Sequence, residues 1–242
     1  MAAEQPTILA TSIGFDGSEV ALHPGPLYSE ALRLARVDGR RARLCILPTA
    51  LGDDPSLLAK FYAAFAELDV VVSHLALFPM PNVEDPRSHL LQQDVIWVAG
   101  GSTANLLALW RTHGLDEVLR DCWEAGVVLA GVSAGSVCWH VGGTTDSFGR
   151  QLRPLTDALG FLPYSNSPHH DAEEQRRPLF HRLIGDGVLP DGYATDNGAG
   201  LVYHGTELHE VIADSPGAHG YDVRRAPDGT VRETRLPVRQ LG

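Results

Sequence analysis

Residues 127–139 restrict the fold more than any other segment of the chain. They read VVLAGVSAGSVCW, an apolar β-branched run that breaks at Gly131-Val132-Ser133-Ala134-Gly135 and continues as a helix-forming stretch. A serine with glycines two residues before and after it, between a strand and a helix, occupies a sharp turn that lifts its hydroxyl clear of the sheet. Side chains at the glycine positions would collide with neighbouring backbone. Ser133 is therefore a candidate nucleophile, and the alternative is a tight turn with an inert serine.

Short apolar strands alternate with longer amphipathic segments along the chain, and the last third has shorter strands broken by Gly and Pro. This pattern is typical of a parallel sheet covered by helices. The sequence predicts one flavodoxin-like α/β domain over residues 1–242, mostly parallel, with helices on both faces and antiparallel strands added near the C-terminus. The main predicted strands are Thr7–Ser12, Arg43–Pro48, Val70–Leu77, Val95–Ala99, Val127–Val132, Gly200–Tyr203 and Leu208–Ile212. Gly160–Ser167 is predicted to contain no strand, and Pro227-Asp228-Gly229 to form a hairpin turn.

Composition limits the classes of partner. The formal net charge is −11, so the chain offers no basic stripe for a phosphate backbone, and nucleic acid is not an expected partner. Hydrophobic residues make up 44% of the chain. No apolar run reaches the roughly 20 residues of a membrane span, and the N-terminus lacks a signal-peptide pattern. A cytoplasmic monomer or homodimer is expected. The three cysteines, Cys45, Cys122 and Cys138, lie in apolar contexts and are expected to be reduced and buried.

A second glycine turn precedes the serine turn. Gly100-Gly101-Ser102-Thr103 follows the predicted strand Val95–Ala99 and opens a helix. Adjacent strand ends of a doubly wound sheet open onto one crevice, so backbone N–H groups of both turns can face one ligand. The N–H groups of Gly101 and Ala134 are the candidate oxyanion donors. The alternative is a turn that only lets helix and strand pack closely; a dinucleotide loop would need G-x-G-x-x-G, which is absent.

A serine nucleophile needs a base, and the densest histidine cluster is Pro168-His169-His170-Asp171. Its predicted position on a loop beside strand ends suits a catalytic base. A metal site using these residues and His181 is the alternative, but adjacent side chains seldom both point inward. No metal and no cofactor are expected. Five further histidines are interpreted as surface or helix-end residues: His113, His140, His204, His209 and His219.

The base needs a carboxylate or amide that fixes its tautomer. Asp146 lies thirteen residues after the serine, and Asp196 lies between a predicted strand end and a turn. The residues alone leave both open, although Asp146 suits a pocket wall or a turn cap better.

Motifs in order along residues 90–215 resemble those of the peptidase E and cyanophycinase-like serine peptidases, which share the sheet of class I glutamine amidotransferases. The matching segments are Ala99-Gly100-Gly101 with Asn105-Leu106-Leu107, Gly131-Val132-Ser133-Ala134-Gly135, Thr144-Thr145-Asp146, Pro168-His169 and Asp196-Asn197-Gly198.

The resemblance implies Ser133 as nucleophile, His169 as base and an acidic residue of the Asp196 segment as the orienting group. It also implies a dipeptidase that releases an N-terminal acidic residue, commonly aspartate. The chain departs from the family pattern at Ser102, where Asn is usual, and at Asn197, where many relatives have a second acid. If that second position orients the base, the protein uses an amide there.

An acidic substrate side chain needs a cation, and Arg176 and Arg177 are close enough to His169 in sequence to line its pocket. Pairing with Glu173 or Glu174 on the helix surface is the equally weighted alternative. The leading interpretation is a cofactor-free serine exopeptidase acting on short peptides through an acyl-enzyme. An esterase or amidase of another substrate class, and a non-catalytic small-molecule binding protein of the same fold, remain alternatives.

Overall fold

The computed structural model describes residues 3–13, 15–16 and 23–242, with side chains for 3–13 and 23–242. In that part of the chain the strands are β1 Thr7–Thr11, β2 Phe15–Asp16, β3 His23–Pro24, β4 Ala42–Leu47, β5 Val70–His74, β6 Val95–Val98, β7 Val128–Val132, β8 His140–Thr145, β9 Arg153–Leu155, β10 Leu162–Ser167, β11 Gly192–Thr195, β12 Ala199–His204, β13 Glu207–Ala213, β14 Gly220–Arg225, β15 Val231–Arg235 and β16 Val238–Gln240. The helices are α1 Pro26–Leu34, α2 Pro55–Phe65, α3 Pro86–Leu91, α4 Thr103–His113, α5 Leu115–Glu124, α6 Ala134–Val137 and α7 Arg176–Gly185, with a 3₁₀ turn at Thr49–Leu51.

The larger sheet has eight strands in the order β16-β13-β12-β1-β7-β6-β4-β5. Strands β1, β7, β6, β4 and β5 run parallel to one another, while β12 pairs antiparallel with both β1 and β13. The predicted fold class is therefore confirmed, including the antiparallel strands toward the C-terminus. The Pro227-Asp228-Gly229 turn joins β14 and β15, which form the expected antiparallel hairpin.

Each face of the large sheet carries its own core. Side chains alternate across a strand, so Leu9 of β1 lies on one face while Ile8 and Ala10 lie on the other. Helices α1 and α2 cover the Leu9 face, and α4, α5 and the second sheet cover the opposite face. Cys45, Cys122 and Cys138 are buried free thiols, as predicted.

A second sheet of six strands, in the order β15-β14-β11-β10-β8-β9, was not predicted. Its centre is parallel, because β10 pairs parallel with β8 and with β11. The prediction of no strand in Gly160–Ser167 is wrong, since β10 occupies most of that segment. His140, expected at a surface or helix end, begins β8 and is fully buried. No helix of the described residues has the length and apolarity that crossing a bilayer requires.

Candidate active site

Ser133 occupies the turn between β7 and α6 with φ of 56° and ψ of −109°, a backbone conformation that L-residues rarely adopt. The glycines on either side allow it. A Cβ at Gly131 would lie 2.3 Å from the carbonyl oxygen of Gly135, and a Cβ at Gly135 would lie 2.4 Å from that of Val98. The start of α6 therefore packs directly on β6 and β7, and Ser133 is held in a strained conformation at their carboxyl ends.

The Gly100-Gly101 turn lies beside the serine. A Cβ at Gly100 would be 3.2 Å from Ser133 Cβ and 3.9 Å from its Oγ. Gly101 has φ of 126°, and a Cβ there would lie 2.4 Å from the carbonyl oxygen of Ala50. Ser102 follows and caps α4, because its Oγ accepts a hydrogen bond from the N–H of Asn105 at 3.3 Å. Ser102, which stands where the resembled family usually has Asn, therefore ties this turn to α4 as its N-cap.

The N–H groups of Gly101 and Ala134 donate to no acceptor among the residues with described side chains. Ala134 is the first residue of α6, where N–H groups have no partner within the helix. Both residues flank the Ser133 side chain, one in the neighbouring turn and one directly after it in sequence. Unpaired N–H donors at such positions can stabilise a negative oxygen.

His169 follows β10 and faces Asn197. Its Nδ1 atom lies 2.6 Å from Asn197 Oδ1. An amide oxygen only accepts hydrogen bonds, so Nδ1 carries the proton and Nε2 of the neutral ring has a free lone pair. Burial lowers the pKa of His169, and the bond to Asn197 opposes that shift. The arrangement presents a neutral imidazole with an acceptor nitrogen.

Thr11 and Ser12, at the end of β1, accept hydrogen bonds from the backbone N–H groups of Ser133 and His169. The N–H of Ser133 donates to the carbonyl oxygen of Thr11 at 2.9 Å. The N–H of His169 donates to Ser12 Oγ at 3.0 Å, and this hydroxyl also contacts Thr195 O at 3.0 Å and Thr195 Oγ1 at 2.8 Å. Thr11 and Ser12 therefore bring the serine turn and the histidine loop together. The sequence analysis did not identify Thr11 and Ser12, although small polar residues at the carboxyl end of a buried strand can indicate a functional site.

Asp196 does not contact His169, which corrects the preference for it as the orienting group. Its Oδ2 accepts hydrogen bonds from Tyr221 Oη at 3.0 Å and from the N–H of His219 at 3.1 Å. Burial raises the pKa of its carboxyl group. Adjacent residues at the end of a strand point in opposite directions, so Asn197 faces the histidine while Asp196 faces the second sheet.

Asp146 also lies apart from the histidine, on an exposed turn in which its carbonyl oxygen accepts from the N–H of Gly149. The backbone of Asp146, not its side chain, closes this turn. His170, next to the candidate base, is buried and directs Nε2 toward Glu233 at 2.9 Å. The two adjacent histidines therefore contact different groups: His169 contacts Asn197, and His170 contacts Glu233.

Both candidate substrate-binding arginines are already in ion pairs. Arg176 is buried, binds Glu173 through Nε at 2.7 Å and donates from Nη1 to the carbonyl oxygen of Thr144 at 2.9 Å. Arg177 pairs with Glu233. Arg176 therefore pairs with Glu173, as in the alternative to substrate binding, but its side chain is buried and does not lie on the helix surface.

Comparisons with known proteins identify the family of the chain. The sequence profile of peptidase family S51 matches residues 27–211. An uncharacterized peptidase of Bacillus subtilis (strain 168), YgaJ, is 43% identical over 232 residues, covering 95% of this chain and 98% of that protein. Peptidase E of Streptomyces coelicolor is 31% identical over 131 residues, covering 53% of this chain and 51% of that protein.

A solved structure has the same fold. The crystal structure of a peptidase from an acI-B1 Actinobacterium covers 98% of this chain and 96% of that protein with a TM-score of 0.67, at 16% identity. The predicted resemblance to peptidase E is confirmed by the family match. The chain therefore belongs to peptidase family S51 and is a serine peptidase.

Proposed function

We propose that the protein hydrolyses short peptides with Ser133 as nucleophile, His169 as general base and acid, and Asn197 as the group that orients the imidazole. The observation that carries this proposal is the 2.6 Å contact between His169 Nδ1 and Asn197 Oδ1. That contact leaves Nε2 as the proton acceptor a serine hydroxyl needs.

In this mechanism Ser133 Oγ attacks the scissile carbonyl carbon while its proton passes to His169 Nε2. The N–H groups of Gly101 and Ala134 bind the resulting oxyanion. His169 then gives the proton to the leaving amine, the C–N bond breaks, and an ester to Ser133 remains. Water, deprotonated by His169, hydrolyses that ester and restores the serine.

Ser133 Oγ and His169 Nε2 make no hydrogen bond within the residues whose side chains are described. Catalytic hydrogen bonds are often long before substrate binds and tighten in the complex. The proposal therefore places the proton transfer in the substrate complex.

The proposal extends to the N-terminal residue of the substrate. An N-terminal aspartate needs a cation that faces the serine, whereas Arg176 binds Glu173 and Thr144, and Arg177 binds Glu233. We therefore propose that the substrates are short peptides without a required acidic N-terminal residue. Aspartyl dipeptides, which the resemblance to peptidase E implies as substrates, serve as the comparison.

A fluorophosphonate probe followed by a dipeptide panel tests the proposal. The wild type and the Ser88→Ala variant, which removes an exposed hydroxyl on α3, should be labelled on Ser133, and Ser133→Ala should not. Cleavage of Ala-Leu and Leu-Leu at rates similar to that of Asp-Leu supports the stated preference. Labelling with turnover of esters alone indicates an esterase, and absence of labelling indicates a binding protein; either result overturns the proposal.

A further inference from the structure

Three side chains outside the proposed catalytic set converge between α7 and the second sheet. His170 follows β10, His181 lies on α7, and Glu233 lies on β15. His170 Nε2 is 2.9 Å from Glu233 Oε2, and His181 Nε2 is 2.7 Å from the same oxygen. All three potential ligand atoms lie within 4.8 Å of one another. Three separate parts of the fold therefore direct two imidazole nitrogens and a carboxylate oxygen at one point.

We propose that His170, His181 and Glu233 form a binding site for a divalent transition-metal ion, with Zn²⁺ as the best fit. Two imidazoles and one carboxylate form a donor set that zinc accepts, with the fourth position left to water. The donor set lacks the multiple oxygens that Ca²⁺ or Mg²⁺ would need.

The spacing of the ligand atoms suits a small ion. Zinc bonds of about 2.0–2.1 Å in tetrahedral geometry separate ligand atoms by roughly 3.3 Å. The two His-to-Glu distances of 2.9 and 2.7 Å are shorter than that. Opening each of these two contacts by roughly half an ångström would bring it to the separation that the ion requires.

Neighbouring groups fix the ligands from behind. Arg177 binds Oε1 of Glu233, which leaves Oε2 for the ion and orients the carboxylate. The backbone N–H of His170 donates to Thr195 O at 3.0 Å. The His170 side chain is fully buried, whereas that of His181 is 32% exposed, which gives an ion a route from solvent.

The site differs from the metal alternative that the sequence suggested. His169 contacts Asn197, and Asp171 accepts from the N–H of Asn197, so neither joins His170 and His181. Glu233, far along the chain, supplies the third ligand instead. The inference departs from the expectation of no metal site, but it involves none of the proposed catalytic side chains and does not rest on the proposed function.

Zinc content measured on untagged protein tests the site. The protein is stripped with chelator, mixed with ZnCl₂, desalted and analysed by mass spectrometry for metal. The wild type should retain about one zinc per chain. His181→Gln and Glu233→Gln, each lacking one ligand atom, should retain little or no zinc after desalting. His209→Gln is the matched control, because His209 stacks on His204 in another histidine pair, with ring centroids 4.2 Å apart.

Thermal melts supply the second readout. Zinc at about 100 times its dissociation constant should raise the Tm of the wild type and of His209→Gln by roughly 5–11 °C. The His181→Gln melt should not respond. This variant keeps the Arg177–Glu233 pair, so a folded but unresponsive protein is attributable to the lost ligand. A wild type that elutes without zinc, or a His181→Gln variant that retains as much, would show that the cluster is a hydrogen-bonded ion pair only.

Discussion

Nδ1 of His169 lies 2.6 Å from Oδ1 of Asn197, so an amide stands where a serine peptidase more commonly has a carboxylate. The amide selects the tautomer with a proton on Nδ1. It carries no charge, so it stabilises the imidazolium formed during proton transfer less than a carboxylate would. Orientation and charge stabilisation are therefore separable at this position.

Replacing Asn197 tests that separation. Asn197→Ala should lower kcat by roughly 10²- to 10⁴-fold, because the imidazole loses its orienting acceptor. Asn197→Asp should keep or raise kcat, since the carboxylate also accepts from Nδ1 and adds a charge. Steady-state kinetics with thermal melts on each variant provide the measurement.

Asp196→Asn is the matched control for the Asn197 variants. Its amide oxygen can still accept from Tyr221 and from the N–H of His219, so kcat should change little. A loss of orders of magnitude in Asp196→Asn, together with a mild effect of Asn197→Ala, would return the orienting role to Asp196.

Ser12 should act as a positioning residue. Ser12→Ala removes the acceptor of the buried His169 N–H, which costs about 1–3 kcal/mol of stability and loosens the histidine loop. The expected result is a reduced kcat with KM nearly unchanged. Ser165→Ala is the control, because this buried serine donates to Pro190 O at 2.6 Å in the second sheet. Equal losses of kcat in both variants would indicate general destabilisation instead.

Gly101 should be irreplaceable for two reasons. Gly101→Ala forces a side chain into positive φ and against the carbonyl oxygen of Ala50, which would move the N–H. We expect kcat to fall by roughly 10²- to 10³-fold, the usual effect of losing one oxyanion donor. Gly39→Ala also places a side chain at positive φ, of 72°, but with no atom within 4 Å of the new Cβ, so it should be destabilised with normal kcat. Unchanged kcat in Gly101→Ala would exclude this N–H as an oxyanion donor.

The strand–turn–helix units around the serine could be predicted because local signals there agree. The strand before Ser133 is apolar and β-branched, the glycines mark the turn, and the helix expected after the Gly100-Gly101 turn is α4, from Thr103 to His113. When residue propensity, hydrophobic pattern and turn residues agree, the structure of a segment can be predicted from its own sequence.

Strand β10 could not be predicted because its environment overrides its composition. It reads LPYSNS, with few of the residues that favour strands. Two parallel strands flank it, and its polar side chains have partners nearby: Asn166 Nδ2 donates to Tyr193 O of β11 at 3.2 Å, and Asn166 Oδ1 accepts from Ser136 Oγ of α6 at 2.9 Å. The choice between Asp196 and Asn197 was equally hidden, because sequence does not say which of two adjacent residues faces a given side.

The buried His140 should make the fold sensitive to acid. Its Nδ1–H donates to Ser136 O at 2.9 Å, and its Nε2 accepts from Tyr203 Oη at 3.1 Å. Burial lowers the pKa of His140 to about 4, against about 6.5 in the unfolded chain. Between these values the unfolded state binds more protons, so His140 makes the free energy of unfolding fall as pH drops from 6.5 to 4. Its contribution, fully present above pH 6.5, amounts to about 3 kcal/mol.

Urea unfolding at pH 4.5 and pH 7 measures this difference. His140→Gln should lower stability at pH 7 while flattening the decline toward pH 4.5, because glutamine does not titrate. His113→Gln, which changes a histidine at the exposed end of α4, should retain the wild-type dependence. Other histidines with lowered pKa contribute equally to all three proteins, so the comparison isolates His140. Parallel curves for the wild type and His140→Gln would mean that His140 does not take up a proton on unfolding.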